Sequence, residues 1–200
     1  MIAVIDVTGN NLKSLTNAIE RLGYDCHLTH DKDEINQASH VILPGVGTAK
    51  AAMIALKDHQ LIDTLSQLTK PLLGICLGMQ LLFEHSEEGD VDCLNLIPGR
   101  VKRLPKIADH PVPHMGWSRL NWTKPSPLSE GLTAEDYVYF VHSYALFQSD
   151  FSLASCNYAI DFTAIFQHQN RFGMQFHPEK SADTGLKLLD NFLKLEGVLC

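Results

Sequence analysis

Continuous apolar runs alternate with helical spacings through the first half of the chain. Ile2 to Asp6 (IAVID) is apolar and β-branched, the pattern of a strand buried on both faces. Asn10 or Asn11 is placed to cap a helix that runs to about Leu22, with Leu12, Leu15, Ile19 and Leu22 on one face and Gly23 as its stop. Tyr24 to Thr29 and Ser39 to Leu43 read as the second and third strands. Helical spacing returns through Ala49, Ala52, Met53 and Leu56, and again from Leu61 to Leu68. Pro71 to Ile75 is a fourth strand, and Leu77 to His85 a helix. Strands that are apolar throughout, separated by helices, predict a parallel sheet covered on both faces.

The pattern changes at Ile97. From there to about Gln175 the runs are short and rich in turns. VYFVHSYAL, TAIFQ and RFGMQF read as strands, with no strong helix between them, so antiparallel strands and loops are expected. Ala182 to Leu195 restores a helix, with Leu186, Leu189, Phe192 and Leu193 on its core face. The expected fold is α/β: an open mixed, mainly parallel sheet flanked by helices, with a small antiparallel, strand-rich second half. No repeat or Gly/Ser linker marks a boundary, so residues 1–200 are expected to be a single domain.

Composition removes several classes of function. Sixteen Lys and Arg against twenty-three Asp and Glu leave a net charge of −7, which argues against a protein that grips nucleic acid. The longest apolar stretch, Pro71 to Phe83, is too short to cross a bilayer, and the N-terminus lacks the basic region of a signal peptide, so no membrane association is expected. Five cysteines are an odd number, and no CxxC pair occurs. That removes the commonest zinc and thioredoxin readings; no metal and no cofactor are expected, and the setting is a reducing, cytoplasmic one.

Three local patterns carry chemistry. Gly74-Ile75-Cys76-Leu77-Gly78 lies where a buried strand turns directly into a helix, as in the cysteine form of a nucleophile elbow. The turn pushes the central side chain outward, and the helix start aims its amides and positive dipole end at the thiol. The Leu77 amide is then placed to donate to an oxyanion. The alternative is a structural cysteine between two packing glycines. Phe176-His177-Pro178-Glu179 follows a strand, and a residue before proline is biased to extended backbone. His177 and Glu179 can then share a side, the carboxylate holding the imidazole; alternatively they form a solvated strand end. Pro44-Gly45-Val46-Gly47 ends the third strand, at the sheet edge where ligands of α/β proteins bind. It is an ordinary turn or the source of a second oxyanion donor, Val46.

Together GICLGMQLL, PGVG and QFHPEKS, in this order, resemble the class I glutamine amidotransferases. TGNNLKS, PHMGW and YFVHSY are similar to the glutaminase subunits of imidazole glycerol phosphate synthases within that class, and the resemblance covers the chain from Ile2 to the last helix. It implies that Cys76 attacks the side-chain amide carbon of glutamine, that His177 relays the proton to departing ammonia, and that Glu179 orients His177. It places Gly47, Gln80, Ser143 and Tyr144 at the glutamine pocket. It places Asn11, His114, Met115, Trp117 and Lys180 on the face toward a separate (β/α)8-barrel cyclase subunit, with which the chain would form a heterodimer. Ammonia sent through that barrel would yield imidazole glycerol phosphate and an aminoimidazole carboxamide ribotide in histidine biosynthesis. Ser118 stands where the family often has Asn, and His142 and Tyr139 are open between structural and functional roles. An amidotransferase for another acceptor, a silent domain on the same scaffold and a redox sensor are the competing readings; PHMGW and YFVHSY speak against the first, and the intact Cys76, His177 and Glu179 against the second.

Overall fold

Four short strands, β1 (Ile2–Ile5), β2 (Cys26–Thr29), β3 (His40–Leu43) and β4 (Leu72–Ile75), build most of the parallel half of an eight-stranded sheet. The structure is a computed structural model that describes residues 1–6, 12–147 and 149–195. The chain continues through β5 (His85–Ser86), β6 (Val91–Asp92), β7 (Arg100–Arg103), β8 (His114–Arg119), β9 (Asn121–Trp122), β10 (Tyr137–His142), β11 (Tyr144–Ala145), β12 (Ser152–Tyr158), β13 (Ile160–His168) and β14 (Arg171–Met174). The large sheet has the order β2-β1-β3-β4-β14-β13-β12-β9. It is parallel from β2 to β14 and antiparallel from β14 to β9, so the expected mixed, mainly parallel sheet with an antiparallel second half is what forms.

Helices α1 (Lys13–Arg21), α2 (Lys32–Gln37), α3 (Ala49–Asp58), α4 (Ile62–Ser66), α5 (Leu77–Gln80) and α6 (Ala182–Leu193) complete the layers. Side chains alternate across each strand, so Ile2 and Val4 enter one core with Leu15 and Ile19 of α1 and Leu189 and Phe192 of α6. Ala3 and Ile5 enter the other, with Ile35 of α2, Leu56 of α3 and Leu65 of α4. Both faces of the inner strands β1, β3 and β4 are buried, which is why they are almost wholly apolar; β2, at the sheet edge, exposes His27 and Leu28. Among the described residues no helix is long and apolar enough to cross a membrane.

Two expectations are corrected, and one helix the pattern did not show is added. The helix expected over Leu77 to His85 ends at Gln80. The carbonyls of Leu81, Leu82 and Phe83, which a longer helix would use, accept instead from the backbone N–H groups of Leu94, Leu96, Ile97 and Asn95, and His85 goes into β5. The run VYFVHSYAL divides at Ser143. Its first part, β10, pairs antiparallel with β8 in a two-stranded ribbon, while β11 pairs with β7 in a separate small sheet. Helix α2 has one buried apolar residue, Ile35, so it carries no periodicity to read. It forms because the Asp31 carboxylate accepts from the N–H groups of Asp33 and Glu34. The cap expected at Asn10 or Asn11 lies outside the described residues.

Two features of this fold position the site. β4 and β14 are neighbours in register, Ile75 opposite Met174, so Cys76 and Gln175 leave the sheet side by side and His177 follows two residues later. β10 lies over that sheet end, with Phe140 packed edge-on against Phe162 and Phe176 at ring distances of 5.5 and 5.7 Å. Phe140 is fully buried. Phe140→Ala is expected to lower the unfolding free energy by about 3–5 kcal/mol, the cost of deleting a buried phenyl ring. Urea unfolding of the full chain measures it, and a loss below about 1 kcal/mol contradicts the packing described.

Candidate active site

The site begins at a strained backbone position. Cys76 has φ +52° and ψ −112°, in the left-handed half of backbone space that a side chain with a Cβ rarely occupies. Its N–H donates to the Met174 carbonyl at 2.8 Å, so the strain is held from the neighbouring strand. Close approach of backbone on either side needs glycine. A Cβ on Gly78 would overlap the Leu43 carbonyl oxygen, one on Gly45 would overlap the Gly78 nitrogen, and one on Gly74 would come within 2.5 Å of the Met79 Cα. The loop after β3 is therefore packed directly onto the elbow. Leu77 opens α5, where the first-turn amides have no acceptor within the helix.

The thiol is buried and faces β10. Sγ is 3.8 Å from the Val141 carbonyl oxygen, to which the S–H donates, and the Gln175 side-chain amide donates to Sγ at 3.9 Å. His177 is buried beside it, and its backbone N–H donates to the Tyr139 carbonyl at 3.0 Å. Ser181 completes the bracket. Its hydroxyl donates to the His177 carbonyl at 2.7 Å and accepts from the Tyr139 N–H at 2.9 Å.

His177 Nδ1 and Glu179 Oε1 are 2.8 Å apart, with both side chains nearly buried. They do not meet along a straight extended segment, as the spacing had suggested. His177 is extended, but Pro178–Lys180 forms one 3₁₀ turn that brings the carboxylate back to the ring. The imidazole is pushed up to about 10. Burial is the largest single influence and works downward; hydrogen bonding and charge from Cys76 and Glu179 together outweigh it. The second carboxylate oxygen of Glu179, Oε2, is buried and has no partner among the described residues. His177, Glu179 and Lys180 share a cavity of about 240 Å³ with Gly45 and Val46 of the loop and Ser14 of α1.

The remaining residues singled out by sequence divide in two. Val46 is exposed on that cavity, and Gly47 has φ +99°, which glycine tolerates. Ser143 and Tyr144 sit at the break between β10 and β11, and Lys180 is exposed. Gln80 is buried, and its side-chain amide donates to the Tyr144 carbonyl at 2.8 Å and to Gln175 Oε1 at 3.0 Å. It can offer a substrate no more than its own carbonyl oxygen. On β8, strand alternation separates two expected surface groups from a third. Met115 and Trp117 are 62% and 51% exposed, but His114 is 2% exposed, turned inward, which corrects its expected place on the surface. Asn11 lies outside the described residues. Gln175, Val141 and Ser181 went unremarked as parts of the site, and His142 was left open between a structural and a functional role. The Gln and Ser flanking FHPEK were visible in QFHPEKS, but nothing local marks a strand carbonyl such as that of Val141.

A strained cysteine at a strand-to-helix turn, beside an imidazole held by a carboxylate, is the geometry of a nucleophile with its proton relay. The family model for class I glutamine amidotransferases matches residues 3–195. The chain belongs to the class I glutamine amidotransferase family. Curated amidotransferase relatives align over nearly their whole length. The chain is 63% identical over 196 residues, 98% of each chain, to "Imidazole glycerol phosphate synthase subunit HisH 2" of Legionella pneumophila strain Paris. It is 51% identical over 194 residues, 97% of each, to "Imidazole glycerol phosphate synthase subunit HisH" of Idiomarina loihiensis. A solved structure described as a glutamine amidotransferase superposes with a TM-score of 0.75 over 96% of this chain and 97% of that one; at 18% identity it supports the fold alone.

The charge state of His177 has a consequence for stability. Its value in the folded chain lies above the ordinary 6.5, so its contribution is fully present below about 6.5 and is lost as pH rises through about 10. Chemical unfolding across this window is expected to show a decline in stability that His177→Gln reduces. Equal slopes for both chains contradict the charge state assigned here.

Proposed function

We propose that this amidotransferase is the glutamine-hydrolysing subunit of an imidazole glycerol phosphate synthase in histidine biosynthesis, with Cys76, His177 and Glu179 as its triad. The observation that carries the triad is the elbow thiol beside an imidazole whose Nδ1 is held at 2.8 Å by a buried carboxylate. The names of the full-length relatives support the synthase assignment.

In this reading the reacting form is an ion pair: the Cys76 proton already sits on His177, which is why that imidazole is held charged, and the thiolate Sγ attacks the side-chain amide carbon of glutamine. The new S–C bond pushes the carbonyl electrons onto oxygen, which accepts from the amides of Leu77 and Val46. Collapse of that adduct breaks the C–N bond while His177 returns the proton to the leaving nitrogen. An imidazole held protonated near neutral pH is the acid this step needs. Ammonia leaves, water attacks the glutamyl thioester, the C–S bond breaks, and glutamate departs. Glu179 keeps the ring oriented by fixing Nδ1. Gly47, Ser143, Tyr144 and the free end of Gln80 line the glutamine pocket.

Ammonia is nucleophilic only when unprotonated, so releasing it into water near neutral pH would lose most of it. The chain therefore works docked on a separate (β/α)8-barrel cyclase subunit, in the cytoplasm. Met115, Trp117 and Tyr137 are exposed along the outer face of the β8–β10 ribbon, whose free β10 edge carries the carbonyls that hold Cys76 and His177. A patch of this kind suits a protein partner, and the exposed Lys180 and, from its sequence motif, Asn11 are assigned to the same contact.

Cys76→Ser in the complex is expected to abolish glutamine-dependent synthesis, by roughly a thousandfold or more, and to leave synthesis from added ammonium salts intact. Assays with each nitrogen donor measure this. Full glutamine-dependent activity in the variant would exclude Cys76 as the nucleophile.

A further inference from the structure

A chain of hydrogen bonds enters the site from the ribbon, through groups that the triad does not use. Ser118 Oγ and His114 Nε2 are 3.0 Å apart. His114 Nδ1 and His142 Nε2 are 3.2 Å apart. His142 Nδ1 lies 2.9 Å from the Tyr144 carbonyl oxygen. That same oxygen accepts from Gln80, Gln80 donates to Gln175, and Gln175 donates to Cys76 Sγ.

The last carbonyl fixes the direction of every proton in the histidine pair. A carbonyl oxygen only accepts, so His142 Nδ1 carries a hydrogen. In a neutral ring Nε2 is then the acceptor, and His114 must donate from Nδ1. The Nε2 of His114 is in turn an acceptor, and the Ser118 hydroxyl donates to it. Both rings are buried among aromatic groups. His114 stacks between Phe140 and Tyr158 at 4.9 and 3.9 Å, and His142 lies 4.9 Å from Phe162. Burial, the largest influence on each, pushes His114 down to about 4 and His142 down to about 3; the other ring and the nearby His177 act in the same direction on His142. Both are neutral at neutral pH, as the direction of the chain requires.

We propose that Ser118, His114 and His142 form a hydrogen-bond chain of fixed polarity that positions the Cys76 thiol from the β8–β10 ribbon, with His142 as the positioning residue for glutamine hydrolysis. His142 touches no reacting atom. It holds the Tyr144 carbonyl, which orients the Gln80 amide, which orients the Gln175 amide against Sγ. Ser118 supplies the outermost donor, and any side chain with an N–H or O–H there serves the same end. This rests on the reading of Cys76 as the nucleophile.

Two measurements test it. In ¹⁵N-histidine-labelled full chain at neutral pH, NMR shifts of the ring nitrogens are expected to show His114 and His142 both as neutral Nδ1–H tautomers, the less common form. An Nε2–H tautomer or an imidazolium at either ring overturns the proposal, and this measurement needs no variant. In the complex with the cyclase subunit, His142→Leu is expected to lower kcat for glutamine roughly tenfold, the scale of one lost buried hydrogen bond, with little change in KM. His142→Asn, whose side-chain N–H₂ falls near Nδ1 and can still donate to the Tyr144 carbonyl, is expected to recover most of it. Equal kcat for Leu and wild type, or equal loss for Asn and Leu in folded chains, overturns the proposal. Labelling of Cys76 by a glutamine-derived chloroketone in wild type separates the two readings. Without labelling the nucleophile assignment fails; with labelling and an unaffected His142→Leu, only the positioning chain fails.

Discussion

The left-handed backbone at Cys76 is the constraint on which the site depends. With φ +52° a residue bearing a Cβ is strained, by an amount on the order of 1–3 kcal/mol, and the geometry persists only because its surroundings permit nothing else. The Met174 carbonyl fixes the N–H from one side. Gly74, Gly78 and Gly45 let three stretches of backbone close around the turn at distances that any side chain would prevent. The sharp turn directs the thiol away from the sheet and ends β4 at the start of α5. A relaxed cysteine would continue the strand instead of turning into α5.

β10 is what turns an exposed elbow into a buried site. Its carbonyls at Tyr139 and Val141 receive His177 N–H and Cys76 S–H, and its Tyr139 N–H is taken up by Ser181. Cys76 and His177 are therefore both referenced to alternate residues along the free edge of one strand. The solvent-facing side of that strand and its partner β8 carries Tyr137, Met115 and Trp117. A partner seated there would press on the element that holds thiol and imidazole in place. The break at Ser143 adds a second use of the same strand, since it turns His142 and the Tyr144 carbonyl toward one another.

Much of this was legible in the sequence, and the remainder was hidden for a physical reason. GICLG read as an elbow because the glycines and the apolar strand before them are consecutive, and the turn geometry is local. HPE read as a paired imidazole and carboxylate, though the pairing uses a 3₁₀ turn that proline starts. The parallel half read cleanly because its inner strands β1, β3 and β4 are buried on both faces. Helix α5 read too long because apolar residues continue to Phe83, and only the arrival of residues 94–97 shows that their carbonyls are taken. His114 read as a surface group because its neighbours Met115 and Trp117 are exposed; strand parity from the β8–β10 register turns it inward. Gln175 acquires its role from Gln80 and Cys76, and Ser181 from Tyr139, distant partners that no local pattern reports; His142 stood out in YFVHSY, but its link to His114 was equally hidden.

The central claim is that the strained thiol forms a covalent bond with substrate. Rapid-quench mass spectrometry of the complex turning over glutamine tests it most directly. A γ-glutamyl thioester on the peptide containing Cys76 is the predicted result. Turnover with no covalent species on Cys76, or with the acyl group on Cys26, Cys93 or Cys156, contradicts it.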